Sequence, residues 1–483
     1  MAKLPMARLP SSSRSPRELQ RERMSGVDSA WWHMSRPNNP MTIVGLLMLS
    51  DAPSIDSLRD LVAQRLLLHR RFLQRPVHDS EGDHWQLDAR FKIERHVVLR
   101  RLAVGESLRG WLGARCGESL PGAHPLWQLT LVVDGSQAAL VVRVHHCYAD
   151  GAALIRLLLV LSDPEGGAIA LRREPATGQN SPVSLLDDLR RMLSDAKAAV
   201  GGGARSEDDP HEPTTPAALV RRLARVAIVL GRDAIRLADL PDEAHTPFKV
   251  RPGLRKVVAW GDALSQGQVR RVAQAFGCSV NAVLVSCVAS ALGAQLSAKG
   301  HDPRKTEIRV LIPTPLRGMR RGAALHGNHF GLVNMLLPVG IANPVARAWE
   351  VHRRLEALID TRQALLVHLL LGCAGLLPSD LRTRTLEALT TKATAVLTTV
   401  PGPPSARSLA GAHIEDLMFW VPQAGDIGLG LSILSYNGRL RVGMMSDAAV
   451  IADPELVMQR VTAEFEHLVP LAVLLAKQSH DHD

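Results

Sequence analysis

The sequence predicts an α/β protein built as two lobes of mixed β-sheet flanked by helices. Strand-like segments alternate with helix-like segments in both halves of the chain, which is typical of α/β architecture. The length of 483 residues exceeds what one hydrophobic core usually serves, so two lobes are expected. The hydrophobic content of 46% is that of an ordinary globular protein.

Shifts in composition divide the chain into five parts. Residues 173–184 and 201–215 are rich in Gly, Pro, Ser, Thr and charge, a composition that is typical of linkers. In chain order the predicted parts are a basic flexible tail (1–23), a first lobe (24–172), a linker with an amphipathic basic helix (173–250), a second lobe (251–470) and a polar tail (471–483).

Most elements of the two lobes can be placed from their apolar patterns. The predicted strands are Leu129–Val133, Ala138–Val144, Leu254–Trp260, Ile308–Ile312, Val333–Val339, Ala395–Thr399, Leu429–Tyr436 and Leu440–Met445. The predicted helices of the lobes are Ala152–Leu161, Ala263–Phe276 and Ser279–Leu292. Gly277 ends the second helix, Ser279 can cap the third, and Asp134-Gly135 predicts a hairpin turn.

The most informative segment is Val141–Leu154, where a β-like apolar run leads into His145 and His146, and then into Asp150, Gly151 and an apolar helix. Side chains alternate in direction along an extended chain, so the two histidines face opposite ways and cannot share one role. A strand before the loop and a buried helix after it would hold an imidazole at hydrogen-bond distance from a reacting group. The pattern predicts a general base.

Two other chemistries at this motif are weaker. A metal centre needs three or four convergent ligands, and no second His/Cys cluster stands nearby in the sequence, so we expect no metal. Cys147 beside a histidine is compatible with a nucleophilic cysteine. However, its side chain would alternate away from His146, and small buried cysteines are common.

The pattern His145-His146-x-x-x-Asp150-Gly151 resembles the signature of acyl-CoA-dependent acyltransferases, a superfamily that includes chloramphenicol acetyltransferase and peptide-synthetase condensation domains. Over about residues 24–470 the chain resembles one branch, the bacterial wax ester synthase/diacylglycerol acyltransferases. The segments that carry this resemblance, in the family's order, are Asp28–Met34 and Asn39–Met41 as an opening strand region, then Pro125-Leu126-Trp127, Val280-Asn281, Pro313–Arg317, Gly327-Asn328 and Val400–Pro403.

This resemblance implies two chloramphenicol-acetyltransferase-like lobes with an active-site channel between them. It gives the role of general base to His146 and leaves His145 structural. It also implies that Asp150 points away from the base and pairs with an arginine. Gly151 would let the backbone turn tightly into the following helix.

Two further roles stay open at the level of sequence. The arginine partner of Asp150 is Arg317, Arg71 or Arg75, and Leu73 stands where relatives often carry another arginine. Asn281 is a candidate donor to the oxyanion, with helix capping as an equal alternative. The family commonly has Asn-Asp at this place, whereas Ala282 follows here.

Composition also limits where the protein works. Five cysteines without a CxxC spacing argue against a disulfide framework or a zinc site, and indicate a reducing compartment. Residues 1–23 have no continuous apolar stretch and do not resemble a secretory signal. The longest strongly apolar run, Ala364–Leu377, is too short to span a bilayer and predicts either a buried core helix or a lipid contact. We expect a cytoplasmic protein.

The formal net charge of +10 favours an anionic partner. No helix-turn-helix, RNP or zinc-finger pattern accompanies the charge, and two tyrosines and seven phenylalanines leave little for base stacking, so nucleic acid is not expected. Residues 217–240 predict a basic amphipathic helix that either lies on a membrane or lipid-droplet surface or docks on the protein. Its basic stripe consists of Arg221, Arg225, Arg232 and Arg236.

The expected function is transfer of a fatty acyl group from acyl-CoA to a long-chain alcohol, a diacylglycerol or both, giving wax esters or triacylglycerol. Acyl-CoA is an activated substrate, so no cofactor is expected. The protein would associate peripherally with the inner membrane or with lipid inclusions. Two alternatives stay open: an amide-forming enzyme like condensation domains, and a catalytically silent homologue that binds membranes or lipid droplets. The oligomeric state does not follow from the sequence.

Overall fold

A computed structural model describes residues 21–135, 137–165, 246–316, 327–328, 330–359, 363–390 and 392–480. Its strands are β1 (Arg21–Arg23), β2 (Thr42–Leu49), β3 (Gln74–Asp79), β4 (Gly82–Leu87), β5 (Val97–Arg101), β6 (Trp127–Asp134), β7 (Gln137–His145), β8 (Asp163–Pro164), β9 (Lys256–Trp260), β10 (Leu264–Ser265), β11 (Ile308–Pro315), β12 (Phe330–Leu337), β13 (Ala395–Pro401), β14 (Arg407–Leu409), β15 (Ala412–Trp420), β16 (Leu429–Tyr436) and β17 (Arg439–Asp447).

Its α-helices are α1 (Gly26–His33), α2 (Ile55–Arg65), α3 (Ile93–His96), α4 (Leu108–Cys116), α5 (Gly151–Leu161), α6 (Gln266–Phe276), α7 (Val280–Ala298), α8 (Pro344–Ile359), α9 (Gln363–Gly375), α10 (Ser379–Thr390) and α11 (Pro454–His480). Two short 3₁₀ helices span Arg70–Leu73 and Pro303–Lys305. The predicted basic helix at 217–240, with its four arginines, and the predicted N-terminal tail up to residue 20 lie outside the described residues.

The first sheet has seven strands in the order β5-β6-β7-β2-β15-β14-β8. Strand β7 lies in the interior of the sheet, since it pairs antiparallel with both β6 and β2. Thr42 lies opposite His145. Strands β14 and β15 come from the C-terminal part of the chain. The first lobe is therefore completed by residues 407–420, which lie inside the segment that composition alone assigns to the second lobe.

The second sheet also has seven strands, in the order β10-β17-β16-β13-β11-β12 with β9 paired to β17. Strand β13 runs parallel to β11 and β16, whereas the other pairings are antiparallel. The two largest buried apolar clusters follow the two sheets, because each sheet buries one face against helices. The predicted fold class, two lobes of mixed sheet flanked by helices, is confirmed.

The opening segment differs from the sequence expectation. Residues Asp28–Met34 resembled a strand region, but Gly26–His33 is the helix α1. Ser25 begins it, because its side chain accepts a hydrogen bond from the amide of Asp28 and so satisfies a free donor of the first turn. Side chains of this segment therefore point in several directions around the helix axis, whereas those of a strand would point to two opposite faces.

By length and composition, helix α7 could cross a membrane. However, 67% of its most apolar stretch is buried inside the protein. Helices α8 and α9 reach that length and apolar character only together, and a bend of 58° separates them. Helix α9 has buried residues around most of its circumference. Both apolar helices thus have the surroundings of core helices.

Candidate active site

The histidine motif lies in the loop that joins strand β7 to helix α5. The amide of His146 donates a hydrogen bond of 2.6 Å to the carbonyl of Met41. Further along the loop, the carbonyl of Tyr148 accepts a 2.9 Å hydrogen bond from the amide of Gly327, and Ala149 forms a parallel bridge with Gly327. The loop is thus held by the first lobe on one side and by residue 327 on the other.

The predicted Pro-Leu-Trp element supports this loop. Pro125, Leu126 and Trp127 are all buried. The amide of Leu126 donates to the hydroxyl of Tyr148 at 3.1 Å, and the indole N–H of Trp127 donates to the carbonyl of Phe72 at 2.8 Å. The element therefore positions the motif through buried hydrogen bonds.

His146 is held by an asparagine from the other half of the chain. The side-chain nitrogen of Asn328 donates to Asp28 Oδ1 at 2.9 Å and to the carbonyl of His146 at 2.8 Å. A backbone carbonyl can only accept, so the amide nitrogen of Asn328 must face the carbonyl of His146 and the amide oxygen faces His146 Nδ1 at 2.9 Å. Nδ1 must then carry the proton, which leaves the lone pair of Nε2 available as a base.

Aromatic rings enclose the same imidazole. Trp31 stacks on His146 with a centroid distance of 4.3 Å and an interplanar angle of 16°, and Phe330 lies 5.5 Å away. His146 is 7% exposed. This burial lowers the pKa of His146 below its usual 6.5, since a charged imidazolium is poorly solvated there. The ring is therefore neutral at pH 7, as a general base must be.

His145 has different surroundings. Its Nδ1 accepts the amide hydrogen of Cys147 at 3.2 Å and lies 3.1 Å from the Cys147 sulfur. Burial lowers the pKa of His145 to about 3 and raises that of the Cys147 thiol well above its usual value. A protonated thiol is a poor nucleophile, so the nucleophilic alternative for Cys147 is disfavoured, and His145 has the contacts of a structural residue.

Asp150 and Gly151 form the start of helix α5. Asp150 is the N-cap, and its carboxylate accepts the amide hydrogen of Ala153 at 2.8 Å. The backbone of Gly151 is not in the left-handed region, and its role in a tight turn into the helix stays a prediction. A Cβ atom at this position would lie 3.1 Å from a methyl group of Val400, so a tight contact with the Val-Pro-Gly-Pro segment favours glycine.

The arginine partner of Asp150 stays a prediction. Arg71 pairs with Glu22 at 2.9 Å and lies over a tryptophan ring of β4. Arg75 is 3.4 Å from a glutamine oxygen of the same strand. These contacts give both arginines other partners, whereas Arg317 lies outside the described residues.

Asn281 is the second residue of helix α7 and is exposed. Its capping alternative is excluded because Ser279 is the N-cap and accepts the amide hydrogen of Ala282 at 3.2 Å. The role of Asn281 as an oxyanion donor stays a prediction.

Sequence reasoning missed the residues that contact the imidazole. Asp28 and Asn328 are 300 positions apart, so no local spacing reveals that they meet. Both nevertheless lie in segments that carried the family resemblance, as does Trp31. Membership in those segments was the signal that could have found these residues, if each segment had been expected to contribute a side chain to the site.

The chain resembles known proteins along most of its length. Residues 24–284 match the profile of the wax ester synthase/diacylglycerol acyltransferase catalytic domain, and residues 326–469 match that of the corresponding C-terminal domain. A protein of Mycobacterium tuberculosis H37Rv named as a diacylglycerol O-acyltransferase is 25% identical over 444 residues, covering 89% of this chain and 91% of its own. A second one from that strain is 26% identical over 457 residues, covering 90% and 89%.

Solved structures share the fold at low identity. The wax ester synthase/diacylglycerol acyltransferase from Marinobacter aquaeolei VT8 has a TM-score of 0.64 at 17% identity, covering 93% of this chain and 99% of its own. The first condensation domain of the CDA synthetase has a TM-score of 0.52 at 15% identity, covering 94% and 97%. Two-lobed acyltransferases and condensation domains therefore share this architecture.

Proposed function

Because this chain belongs to the wax ester synthase/diacylglycerol acyltransferase family, we propose that it transfers a fatty acyl group from acyl-CoA to the hydroxyl group of a long-chain alcohol, a diacylglycerol or both. Wax esters or triacylglycerol would be the products. The observation that carries this proposal is the orientation of His146, whose Nδ1 proton is directed to Asn328 and whose Nε2 is the basic nitrogen.

The reaction needs one proton to move twice. The alcohol gives its proton to His146 Nε2 as its oxygen attacks the thioester carbonyl, which forms a tetrahedral intermediate. When the carbon–sulfur bond breaks, the coenzyme A thiolate takes the proton back from Nε2. The thioester is already activated, so the transfer proceeds directly between the two substrates and no acyl-enzyme is required.

The surroundings of the motif suit an apolar acyl chain. Along strand β7, Val142 and Leu140 lie on the same face as His146, because side chains alternate along a strand. That face leads to a narrow cavity of about 30 Å³ between α5 and the first sheet. Its lining is almost entirely aliphatic, and includes Gly45, where the sheet has no side chain. The cavity holds little more than one water molecule, so it supports the apolar character of this face and is not a preformed channel for the tail.

Two side chains are candidates for donating a hydrogen bond to the oxyanion. Asn281 is the candidate from sequence. Trp31 is the candidate from geometry, because its buried indole N–H has no hydrogen-bond partner in the described part of the chain and its ring stacks on His146. Comparing kcat for Trp31→Phe and Asn281→Ala would identify the donor. The loss of a hydrogen bond to the oxyanion lowers kcat more than it weakens substrate binding.

We also propose that the protein works at a lipid surface from the cytoplasmic side, as a peripheral protein of the inner membrane or of lipid inclusions. The positive net charge supports this proposal, since anionic head groups attract basic proteins. The long apolar tails of both substrates support it as well.

The test uses the purified full chain with labelled palmitoyl-CoA and hexadecanol, diolein or a long-chain amine in separate reactions. Ester formation with either hydroxyl acceptor supports the proposal, and the ratio of the two rates defines the preferred acceptor. Amide formation alone would support the condensation-type alternative. A protein that binds vesicles but forms neither product would instead be a silent homologue.

A further inference from the structure

A cluster of two histidines and one aspartate lies on another face of helix α1, outside the active site. His33 Nε2 is 2.9 Å from Asp83 Oδ2, and His78 Nδ1 is 2.7 Å from Asp83 Oδ1. The three atoms that could bind a metal all lie within 4.8 Å of one another. No step of the proposed acyl transfer uses these side chains.

The fold brings these three residues together from two elements. His78 and Asp83 lie directly opposite each other on the β3–β4 hairpin, so their side chains share one face of it. His33 is the last residue of α1. The hairpin is attached near this helix because the amide of Met24 donates to the carbonyl of Asp83 at 2.9 Å.

Two imidazole nitrogens and a carboxylate are ligands that zinc and similar divalent cations take. Ligand atoms about 2.0–2.2 Å from a tetrahedral zinc ion lie about 3.3–3.6 Å apart. The present nitrogen–oxygen distances of 2.7 and 2.9 Å are shorter by about half an ångström to one ångström, so small side-chain rotations would admit an ion. The side chain of His78 is 58% exposed, which gives the ion a path from solvent.

Outer contacts hold the carboxylate in place. The hydroxyl of Ser29 donates to Asp83 Oδ2 and lies 3.0 Å from the carbonyl of Gly375. Such an outer partner orients a metal ligand. Arg382 has a guanidinium nitrogen 3.7 Å from the same carboxylate oxygen. Its positive charge opposes a bound cation, so it should weaken metal binding without preventing it.

We propose that His33, His78 and Asp83 form a binding site for a zinc-class divalent cation, with a water molecule in the fourth position. The ion would join the end of helix α1 to the β3–β4 hairpin. This site is separate from the proposed acyl transfer, so either proposal can fail without the other.

The hairpin supplies its own control. Asp79, Glu81 and His84 form a second group of possible ligands. Asp79, however, is already ion-paired with Arg21, and Glu81 is exposed. The substitution Glu81→Ala removes one member of this second group and leaves the proposed site intact.

The experiment titrates metal-free, untagged full-length protein with Zn²⁺ by calorimetry and with Co²⁺ by visible absorption. Wild-type protein should bind one equivalent and show the visible bands of four-coordinate cobalt. His78→Ala, at an exposed position, and His33→Ala should each lower the affinity at least about tenfold, as expected when one of only three protein ligands is lost. Glu81→Ala should bind like the wild type, and Arg382→Gln should bind more tightly.

Thermal unfolding provides an independent readout, because a ligand that binds only the folded state raises the Tm. At the same zinc concentration, the Tm of the wild type and of Glu81→Ala should rise by similar amounts, and the Tm of His78→Ala should rise by less. The proposal is overturned if the wild type binds no Zn²⁺ at submillimolar concentrations. It is also overturned if His78→Ala keeps the wild-type affinity, or if Glu81→Ala abolishes binding while His78→Ala does not.

Discussion

At the scale of single residues, the position of one proton decides what the site can do. Asn328 donates to Asp28 and to the backbone of His146, so its oxygen can only accept from His146 Nδ1. This fixes one tautomer of the imidazole and directs the lone pair of Nε2 away from the asparagine. An enzyme that lacks this hydrogen bond would keep the histidine but lose the correct tautomer.

Replacing Asn328 tests whether its hydrogen bond to His146 fixes the tautomer. Asn328→Leu should lower kcat by about 10- to 100-fold with a smaller change in KM, because the tautomer is no longer fixed while the substrate contacts remain. Steady-state release of coenzyme A measures both constants. Asp28→Asn is the matched control, since its amide oxygen can still accept from Asn328, and its kcat should stay near that of the wild type. An Asn328→Leu protein that keeps the kcat of the wild type would argue against this role of Asn328.

The pH dependence of acyl transfer tests the state of the base. Burial lowers the pKa of His146 below 6.5, so the neutral, active form persists as the pH falls and is lost only below that lowered value. We expect the acidic limb of kcat/KM to lie below pH 6.5. A limb centred at or above pH 6.5 would contradict this picture of the base.

Circular dichroism at each pH is the control for unfolding. Both motif histidines are neutral when folded but become protonated near pH 6.5 when unfolded. The unfolded state then binds more protons, so the free energy of unfolding falls as the pH drops below 6.5. For His145 this loss continues down to a pKa of about 3. Rates are compared only where the protein remains folded.

At the scale of elements, helix α1 connects the active site to its support. It carries Asp28 and Trp31 toward His146, while its start packs against helix α9. This packing has no room for side chains, because a Cβ atom at Gly375 would lie 1.8 Å from the carbonyl oxygen of Gly26. The backbones approach this closely only with glycine at the contact.

The substitution Gly375→Ala should therefore displace α1. We expect a lower Tm and a lower kcat, because Asp28 and Trp31 move together with the helix. Gly122→Ala is the control, since nothing lies within 4 Å of a Cβ atom at that position and its backbone is not left-handed. If Gly375→Ala kept both the Tm and kcat of the wild type, the helix contact would not position the site.

Helices and strands were predictable where the apolar pattern agreed with the residues that begin or end an element. Strand β16 matches its prediction residue for residue, and α6 ends at Gly277, whose φ of 63° suits glycine. The helix α1 and the hairpin β3–β4 were missed. Both are short, with polar residues between apolar ones, and their conformation is set by packing against the rest of the protein.

At the scale of the whole molecule, buried polar contacts connect distant parts of the chain. Lys256 on β9 donates to Asn39 at 2.7 Å and to Asp447 at 3.0 Å. The side chains of Lys256 and Asp447 are 2% and 1% exposed. The side chain of Asn39 also donates to the carbonyl of Gly425 at 2.7 Å. These contacts attach the segment before β2, which includes Met41, to the second sheet.

Replacing Lys256 should lower the stability of the fold. Lys256→Met leaves the carboxylate of Asp447 buried without its charge partner, so we expect the free energy of unfolding to fall by about 3–5 kcal/mol. Chemical denaturation measures the change. Lys256→Met/Asp447→Asn should recover part of the loss, and Arg304→Ala, in an exposed ion pair, should have almost no effect. A loss no larger in Lys256→Met than in Arg304→Ala would contradict the role of this pair.

The sequence could place His146 in its loop, but it could not assemble the whole site. Pattern and motif order predicted two lobes, the base and the supporting Pro-Leu-Trp element. They could not show that Asn328 orients the imidazole, or that β14 and β15 complete the first sheet, because these contacts join residues hundreds of positions apart. Tertiary packing alone decides such pairs.

The central claim is that His146 Nε2 is the base for acyl transfer. The most direct measurement is the single-turnover rate of coenzyme A release by His146→Gln with saturating palmitoyl-CoA and the better acceptor alcohol. We predict a rate about 10²- to 10⁴-fold below that of the wild type, with circular dichroism unchanged. A folded His146→Gln protein that forms ester at the wild-type rate would contradict the account.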